Sequence, residues 1–351
     1  LRNLFKKVVY VRNITDIDDK INDKAKKEKV SIEIISLKYT KVYQENMRAL
    51  NVLPPDIEPT VTQNIHSIIK MISTLLEKKN AYEAENHILF HVPSFKNYGN
   101  LSKRKKDEMI EGARIEVAPY KKDPMDFILW KPSTKDQPGW DSPWGRGRPG
   151  WHIECSSIIK TYLGETIDIH LGGNDLIFPH HENEIAQSNC AHDGKSLSKY
   201  WIHNGFISMD KEKMSKSVGN IILVNDILKN YTGEAIRLAM LTTHYKQPLN
   251  WNENILIQAN KNLENFYDVI GDKKNFESIE PPKKFFDALL NDLNTPEALK
   301  ELYELSKNKN TKDQLKSAAN YLGILQLTKT EWINQRKKIK NLDQKKIEKL
   351  I

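Results

Sequence analysis

The sequence predicts an α/β fold: a doubly wound parallel sheet, interrupted by an inserted subdomain and followed by an α-helical domain. Three observations predict it. Short β-branched segments precede helical periodicity in residues 1–80, and again in the stretch from about residue 166 to 209. Between them lies a stretch with little periodicity that ends rich in Trp, Gly and Pro. Beyond Asn225 the pattern is helical almost throughout.

The start of the chain supplies one strand and two helices. Lys7–Val11 is predicted to be a short β-branched strand, and Arg12–Lys20 is predicted to be the polar segment that follows it. Helical spacing runs from about residue 31 to 51 and from about 60 to 80, with prolines between the two stretches. This order is typical of a strand followed by helices that pack on its sheet.

The middle of the chain is predicted to be a subdomain inserted into the sheet domain. Residues 81–149 show only short strands, such as His87–Val92. Tryptophans, glycines and prolines are concentrated at its end, where the chain is expected to return to the main sheet.

The sheet resumes after the insertion. Thr166–His170 is predicted as the second core strand, Gly172 and Gly173 as the turn after it, and Glu182–Ala191 as the next helix. Ile202–Met209 is predicted as a third strand that leads into a lysine-rich loop.

Polar residues follow each of the three predicted strands. Thr15, Asp16 and Asp18 follow the first strand, residues 170–175 the second, and the lysine-rich loop the third. Doubly wound sheets bind ligands outside the carboxyl ends of their strands. One crevice is therefore expected to collect these residues, although the topology rule alone does not name the ligand.

The lysine-rich loop Lys213-Met214-Ser215-Lys216-Ser217 has the composition that a polyphosphate in transfer requires. Its lysines can neutralise charge that develops in the transition state, and its hydroxyl and backbone groups can donate hydrogen bonds. The alternative is a solvated Lys/Ser turn with no ligand.

A second constellation joins Gly150–Ser156 with Phe178–Glu184. On a helix, His180 and Glu184 are i and i+4 and share a face. With the thiolate of Cys155 they form a plausible zinc set, in which one position stays open for substrate. Two alternatives remain: a buried cysteine beside a surface His/Glu pair, or a geometry built on His181 and Glu184.

Bulk properties limit the class of protein. With 351 residues the chain is long enough for two or three domains, and its net charge of +8 suits a polyanionic partner such as RNA. Two cysteines argue against a disulfide framework and fit a reducing compartment. No apolar run approaches the roughly 18 residues of a membrane span, so no membrane partner is expected.

Four motifs together give the chain a family resemblance. The stretches are YVRNITDIDDK (Tyr10–Lys20), GRPGWHIECS (Gly147–Ser156), FPHHENEIAQ (Phe178–Gln187) and the KMSKS loop (Lys213–Ser217). With them the chain resembles the cysteinyl-tRNA synthetases, which are class I aminoacyl-tRNA synthetases, from about Tyr10 to Asn250 and more weakly through the helical tail.

The resemblance implies a reaction and its components. Cysteine would be activated by ATP, which carries Mg²⁺, to cysteinyl-adenylate and then transferred to tRNA(Cys). One Zn²⁺ per chain would select the substrate thiolate over the serine hydroxyl. The protein is expected to be a cytoplasmic monomer whose fold is a class I synthetase Rossmann-like sheet.

The resemblance also assigns residues. Cys155, His180 and Glu184 match three of the four family zinc ligands, and Thr15 and Trp151 match residues around the substrate. The remaining matches line the nucleotide site or act on ATP in the adenylation step; they are Gly172, Gly173, Asp175, Lys213 and Lys216.

The expected domain limits follow from the pattern along the chain together with this resemblance. Residues 1–80 form the first part of the catalytic domain, 81–149 the inserted subdomain, 150–250 the second catalytic part with the KMSKS loop, and 251–351 an α-helical domain that contacts tRNA.

The chain departs from the family pattern in two ways. The family carries a His-x-Gly-His motif and a further zinc cysteine before the strand that matches Lys7–Val11, and neither occurs here. The chain begins with Leu1 and ends soon after a Lys-rich helix, so truncation at both ends is expected. Little or no synthetase activity is therefore expected of this chain alone.

Two other functions remain open from sequence. One is a related ligase that adenylates cysteine and transfers it to an amino sugar. The other is a paralogue that binds tRNA without catalysis. The basic charge and the long helical tail favour tRNA over a sugar.

Overall fold

The computed structural model describes residues 1–104, 109, 118–209, 212–214, 219–277 and 279–347. The chain forms two compact units. The first comprises Leu1–Lys41 and Pro55–His203, and the second comprises Val42–Pro54 and Asn204–Ile351. The four-part domain division expected from sequence is not tested by this partition and stays a prediction.

The first unit opens with an extended segment that pairs with residues 56–61. Parallel bridges join Val11 to Ile57 and Ile14 to Thr60, and Ile14 N–H donates to the Pro59 carbonyl at 2.9 Å. The predicted strand Lys7–Val11 was wrong in its bounds, since pairing begins only near its end and continues to Ile14. Backbone pairing depends on a partner segment, which β-branched composition does not reveal.

Five helices in the described part of the chain belong wholly or partly to this first unit. Their side chains follow simple local rules: the Asp18 carboxylate caps the first helix by accepting from Lys20 N–H. The third buries a stripe that recurs every three or four residues, Ile65, Ile68, Ile72 and Leu75. The helices are α1 (Asp19–Glu28), α2 (Ile32–Ala49, which continues into the second unit), α3 (Ile65–Glu77), α4 (Trp151–Leu163) and α5 (Glu182–Ala191).

The inserted stretch forms a four-stranded antiparallel sheet in which neighbours along the chain pair in order. Glu85 and Asn86 make the first hairpin turn with φ of 47° and 60°, as a two-residue hairpin with a matching twist requires. The strands are β1 (Ala81–Ala84), β2 (His87–Phe90), β3 (Phe127–Pro132) and β4 (Gly147–Pro149).

The core of the first unit lies between this sheet and helices α3, α4 and α5. Fully buried side chains from each element meet there, including Ile72, Phe90, Trp130, Ile153 and Ala186. This packing fixes α4 and α5 against each other, and these two helices carry the candidate site.

Two further strands, β5 (Ile167–Gly173) and β6 (Ser198–Asn204), form a two-stranded sheet. The predicted turn at Gly172 and Gly173 was wrong, because both residues end β5 and the turn follows at Asn174–Leu176. The predicted helix Glu182–Ala191 has the same bounds as α5.

The second unit contains a small sheet and seven helices among its described residues. Parallel pairing joins β7 (Ile207–Met209) to β9 (Leu249–Asn250), and β8 (Glu212–Lys213) pairs antiparallel with β7. The predicted single strand Ile202–Met209 was wrong: β6 ends at Asn204 and β7 begins at Ile207. Gly205 interrupts it, where a Cβ would lie 2.5 Å from the Gln247 carbonyl oxygen.

The helical tail confirms the periodicity seen after Asn225. Its core is built from apolar residues of several helices, among them Leu238, Leu263, Phe285, Leu302 and Trp332. The helices are α6 (Val224–Ile227), α7 (Gly233–Leu241), α8 (Glu253–Ile270), α9 (Lys283–Leu290), α10 (Thr295–Ser306), α11 (Lys312–Tyr321) and α12 (Lys329–Ile347). Across the described residues, no helix combines the length and apolar character needed to cross a membrane.

Candidate metal and substrate site

Helix α4 begins where the chain leaves the inserted sheet. Gly150 precedes its first residue and lies so close to β3 that a Cβ would be 2.0 Å from the Ile128 carbonyl oxygen. The close approach therefore requires glycine. The first turns of α4 then present Trp151, His152 and Cys155. Trp151 is 51 % exposed, and the centroid of its ring lies 4.2 Å from that of the His180 ring.

The second element is the junction between the irregular segment Ile177–His181 and helix α5. His180 lies just before α5 and Glu184 within its first turn. Both are buried, and His180 Nε2 is 2.7 Å from Glu184 Oε1. The i, i+4 spacing thus brings the two side chains together, although His180 precedes the regular helix.

Cys155, His180 and Glu184 converge from these two elements. One ligand atom from each lies within 4.8 Å of the others. Glu184 Oε1 is buried and, despite its closeness to His180, has no hydrogen-bond partner of suitable geometry among the described residues. A buried carboxylate oxygen without such a partner is costly, so this atom marks the place where a cation fits. Sulfur, nitrogen and oxygen donors are the set that zinc takes.

A second group, His170, His181 and Glu184, also meets the distance criterion. It is less suited to a metal because its atoms are already engaged. His170 Nε2 donates to Glu184 Oε2 at 2.6 Å, and His181 Nδ1 lies 2.8 Å from His203 Nε2. The two oxygens of Glu184 therefore have different surroundings, and the open one faces the first group.

Charge around Glu184 is consistent with a cation site. Burial alone would raise the pKa of Glu184, but His170 and His180 hold that pKa well below its ordinary value. Burial raises the pKa of the Cys155 thiol, and the carboxylates of Glu184 and Glu154 raise it further. The free thiol is therefore protonated at neutral pH, and a bound cation would reverse this preference.

Sequence reasoning named His181 as a rival ligand and placed His170 after a strand, but it did not predict a cluster of histidines around this group. His152 Nδ1 is 2.9 Å from His180 Nδ1, and His170 and His203 complete a cluster with His181. Burial lowers the pKa of both His152 and His181 to about 3, so both are neutral at physiological pH. A signal was present in the sequence: six of the 10 histidines lie between residues 152 and 203.

Thr15 follows the extended segment at the start of the first unit and is half-buried. The side chain of Asn13, two residues before Thr15, opposes the rise in the pKa of the Cys155 thiol by hydrogen bonding. Asp16 is buried and accepts from the Thr62 amide at 3.0 Å. The role of Thr15 in binding the substrate stays a prediction.

Gly172 and Gly173 end β5 and Asp175 lies in the turn that follows. A Cβ on Gly172 would lie 2.5 Å from His181 Cε1, so glycine lets the strand pass the buried histidine. A Cβ on Gly173 would meet only the exposed Asp175 carboxylate. Their assignment to the nucleotide site stays a prediction.

Lys213, the first of the predicted catalytic lysines, lies in the second unit. The backbone of Lys213 pairs with Ser208 across β7 and β8, and Met214 N–H donates to the Ile207 carbonyl at 3.0 Å. Lys216 lies outside the described residues, as do Ser215 and Ser217.

Known proteins resemble this chain over nearly all of its length. The family described as "tRNA synthetases class I (C) catalytic domain" matches residues 1–261, and the DALR domain family matches residues 284–327. A cysteine–tRNA ligase from Parvibaculum lavamentivorans is 52 % identical over 366 residues, which covers 100 % of this chain and 78 % of the relative.

The chain belongs to the cysteine–tRNA ligase family.

Other members of this family agree with that assignment. The cysteine–tRNA ligase of Maricaulis maris is 49 % identical and that of Paramagnetospirillum magneticum is 53 % identical, over 95 % and 93 % of this chain and 75 % and 72 % of those relatives. The resemblance to class I aminoacyl-tRNA synthetases and the enzyme class predicted from sequence are confirmed. The amino-sugar ligase and the non-catalytic paralogue find no support in these relatives, which are all named as tRNA ligases.

The fold class of this cysteine–tRNA ligase family member is also confirmed. The methionyl-tRNA synthetase of Mycobacterium tuberculosis in complex with methionyl-adenylate has a similar structure, with a TM-score of 0.60 over 90 % of this chain and 82 % of that chain. At 13 % identity this likeness concerns the fold alone. The Rossmann-like α/β architecture with a helical domain is therefore that of class I synthetases.

Proposed function

We propose that this protein ligates L-cysteine to tRNA(Cys) through a cysteinyl-adenylate, with ATP and Mg²⁺ as co-substrates and one zinc ion per chain. The observation that carries the proposal is the convergence of Cys155, His180 and Glu184 around a buried carboxylate oxygen that lacks a hydrogen bond. Family membership supplies the reaction class, and the donor set supplies the reason for choosing cysteine.

Zinc, when bound by these three residues, would supply a soft Lewis acid that binds the substrate thiolate and lowers the thiol pKa. Serine differs from cysteine by one atom, and a plain pocket discriminates poorly at that level. A metal centre that selects a thiolate would discriminate cysteine from serine at the binding step, with no separate site needed to hydrolyse wrong products.

The chain's own residues orient the centre and its substrate. His170 fixes Glu184 by donating to Oε2, so that Oε1 faces His180 and Cys155. Trp151 is half exposed beside His180 and can cover a small amino acid held there. We assign Thr15 to the same pocket, because the side chain of Asn13, two residues before it, acts on the Cys155 thiol.

The adenylation step needs groups that bind ATP. We assign Gly172, Gly173 and Asp175 to the nucleotide, because the two glycines end β5 and Asp175 follows it, at the strand end where α/β sheets bind ligands. Lys213 and Lys216 are assigned to the charge that develops on the phosphates. No His-x-Gly-His occurs in the 351 residues, so this polypeptide alone is proposed to form adenylate poorly.

The test is amino-acid binding by the zinc-loaded chain, measured by calorimetry. L-cysteine is expected to bind at least about 100-fold more tightly than L-serine, because only the thiolate is a soft ligand. Removal of zinc is expected to abolish the difference. Serine binding within about tenfold of cysteine, or cysteine binding that is unchanged without zinc, would contradict the proposal.

Cysteine-dependent ATP–pyrophosphate exchange tests the rest. This chain alone is expected to give no exchange above background. Detectable exchange would show that the proposed impairment is wrong while leaving the cysteine assignment intact. The oligomeric state and the cytoplasmic location stay predictions.

A further inference from the structure

Three consecutive residues of one turn in the second unit all bind the same aspartate. Tyr245 OH donates to Asp292 Oδ1 at 2.7 Å, and the Lys246 ammonium pairs with Asp292 Oδ2. His244 Nε2–H donates to the Asp292 backbone carbonyl at 2.9 Å. Independent surface pairs would not be expected to converge in this way. The arrangement therefore indicates that the turn is attached at Asp292.

The His244–Lys246 turn is held in one hydrogen-bonding arrangement. His244 Nδ1 accepts from the Lys246 amide at 3.3 Å while Nε2 donates to Asp292. This pattern requires the neutral Nε2–H tautomer. Lys246 and Tyr245 lower the pKa of Asp292, so its carboxylate is charged at neutral pH and accepts both side chains.

Asp292 lies at the junction between α9 and α10, within the segment that matches the DALR domain. Asp292 and Leu293 both have left-handed backbones, with φ of 55° and 53°. Such conformations are strained, especially for leucine, and persist where surrounding contacts over-determine them. A second contact holds the junction: Thr295 Oγ1 donates to the Leu241 carbonyl at 2.9 Å.

The turn continues directly into the sheet formed by β7, β8 and β9. Gly205 N–H donates to the Tyr245 carbonyl at 2.7 Å, and Trp251 N–H donates to the Ser208 carbonyl at 2.7 Å. These bonds fix β9 beside β7, and β7 pairs with β8, which ends at Lys213. Contacts within the second unit therefore run without a gap from Asp292 to the first lysine of the loop.

The geometry points to Asp292 as a positioning residue for the sheet of β7, β8 and β9: it holds the His244–Lys246 turn, and through that turn it sets the strands that pair with the backbone of Lys213. The Asp292 side chain thereby links the helical DALR segment to this sheet. The functional consequence rests on the proposed role of Lys213 and Lys216 in binding ATP.

The experiment is hydrogen exchange, read by mass spectrometry, on the full chain and its variant Asp292→Ala. Backbone amides of Gly205, Met214, Leu249 and Trp251 are expected to exchange about tenfold faster, because the sheet opens locally. Amides of α8 are expected to keep their protection, since exposed ion pairs contribute little to global stability. Rates within about twofold of the wild type would overturn the inference.

A matched control is Asp287→Ala, which removes another exposed aspartate from α9 that pairs with Lys283 at 2.7 Å. Exchange in the sheet is expected to be unchanged in this variant, and an equal acceleration would also overturn the inference. If the amides of α8 also lose protection in Asp292→Ala, hydrogen exchange is measured on Tyr245→Phe instead. This variant removes a single hydrogen bond, and its exchange in the sheet then decides the question.

A second readout separates this inference from the proposed function. Asp292→Ala is expected to weaken ATP binding severalfold and to leave cysteine binding unchanged, as measured by calorimetry. Failure of the wild-type chain to bind ATP would contradict the nucleotide assignment of the proposed function. Hydrogen exchange alone would then decide whether Asp292 holds the sheet.

Discussion

At the scale of single residues, Glu184 decides the chemistry of the candidate site. Its carboxylate is fully buried, with one oxygen bound to His170 and the other facing His180 and Cys155. The contact with His170 is not visible in the spacing of the sequence, which offered His180 and His181 as rival partners of Glu184. The asymmetry favours His180 because a ligand needs a free lone pair, and Oε2 is already used.

Cys155 offers the sharpest test at this scale. Cys155→Ser is expected to lower zinc affinity by at least about tenfold, because a hydroxyl is a harder and weaker ligand than a thiolate. The measurement is competition for zinc with a chromophoric chelator. Cys190→Ser is the matched control, since Cys190 is the other half-buried free cysteine and belongs to neither candidate group. Equal zinc affinity in the two variants would contradict the assignment.

At the scale of elements, local signals predicted helices better than strands. Helix Glu182–Ala191 was predicted with its observed bounds, because the hydrogen bonds of a helix lie within its own segment. The strand Lys7–Val11 was not, since its pairing depends on residues 56–61, far along the chain. Gly205 similarly ended a strand that composition alone would have continued.

Helix α7 carries a buried carboxylate that gives the second unit a pH response. Glu234 Oε2 accepts from Tyr267 OH, and Oε1 accepts from the Gln326 amide, both at 2.8 Å. Burial raises the pKa of Glu234 above its ordinary value of 4.5, and these two hydrogen bonds only partly oppose the rise. The folded state therefore holds this proton more tightly than the unfolded state.

The sign of the effect follows from that difference in proton affinity. The contribution of Glu234 to the free energy of unfolding is fully present below pH 4.5. It is lost as pH rises through the raised folded pKa. Glu234→Gln is expected to lack this dependence, as measured by urea unfolding across that window. The exposed Glu297→Gln serves as control, and parallel pH profiles for wild type and Glu234→Gln would count against the argument.

At the scale of the whole molecule, the chain combines a net charge of +8 with a catalytic family match and a DALR match. Sequence and comparisons agree on the class of enzyme. Charge alone could not have named the partner, because lysine is abundant throughout the chain.

The charge leads to a prediction about tRNA binding. Affinity for tRNA(Cys) is expected to fall more than about tenfold as salt rises from roughly 50 to 200 mM, because bound counterions are released from the phosphates. Filter binding over a salt series gives the slope, with cysteine binding measured in parallel as a salt-insensitive control. A flat tRNA profile would argue against a basic binding surface.

The sequence by itself determined the family, the helix that carries Glu184, and the identities of the three proposed zinc ligands, since motifs and spacings are local properties. Tertiary structure alone decided which oxygen of Glu184 stays open. It also gathered His152, His170 and His203 around the candidate site, and it brought Asp292 to the turn before β9. The physical reason is the same in each case. Side chains far apart in sequence meet only when the packing of whole elements fixes their positions, and no periodicity encodes that packing.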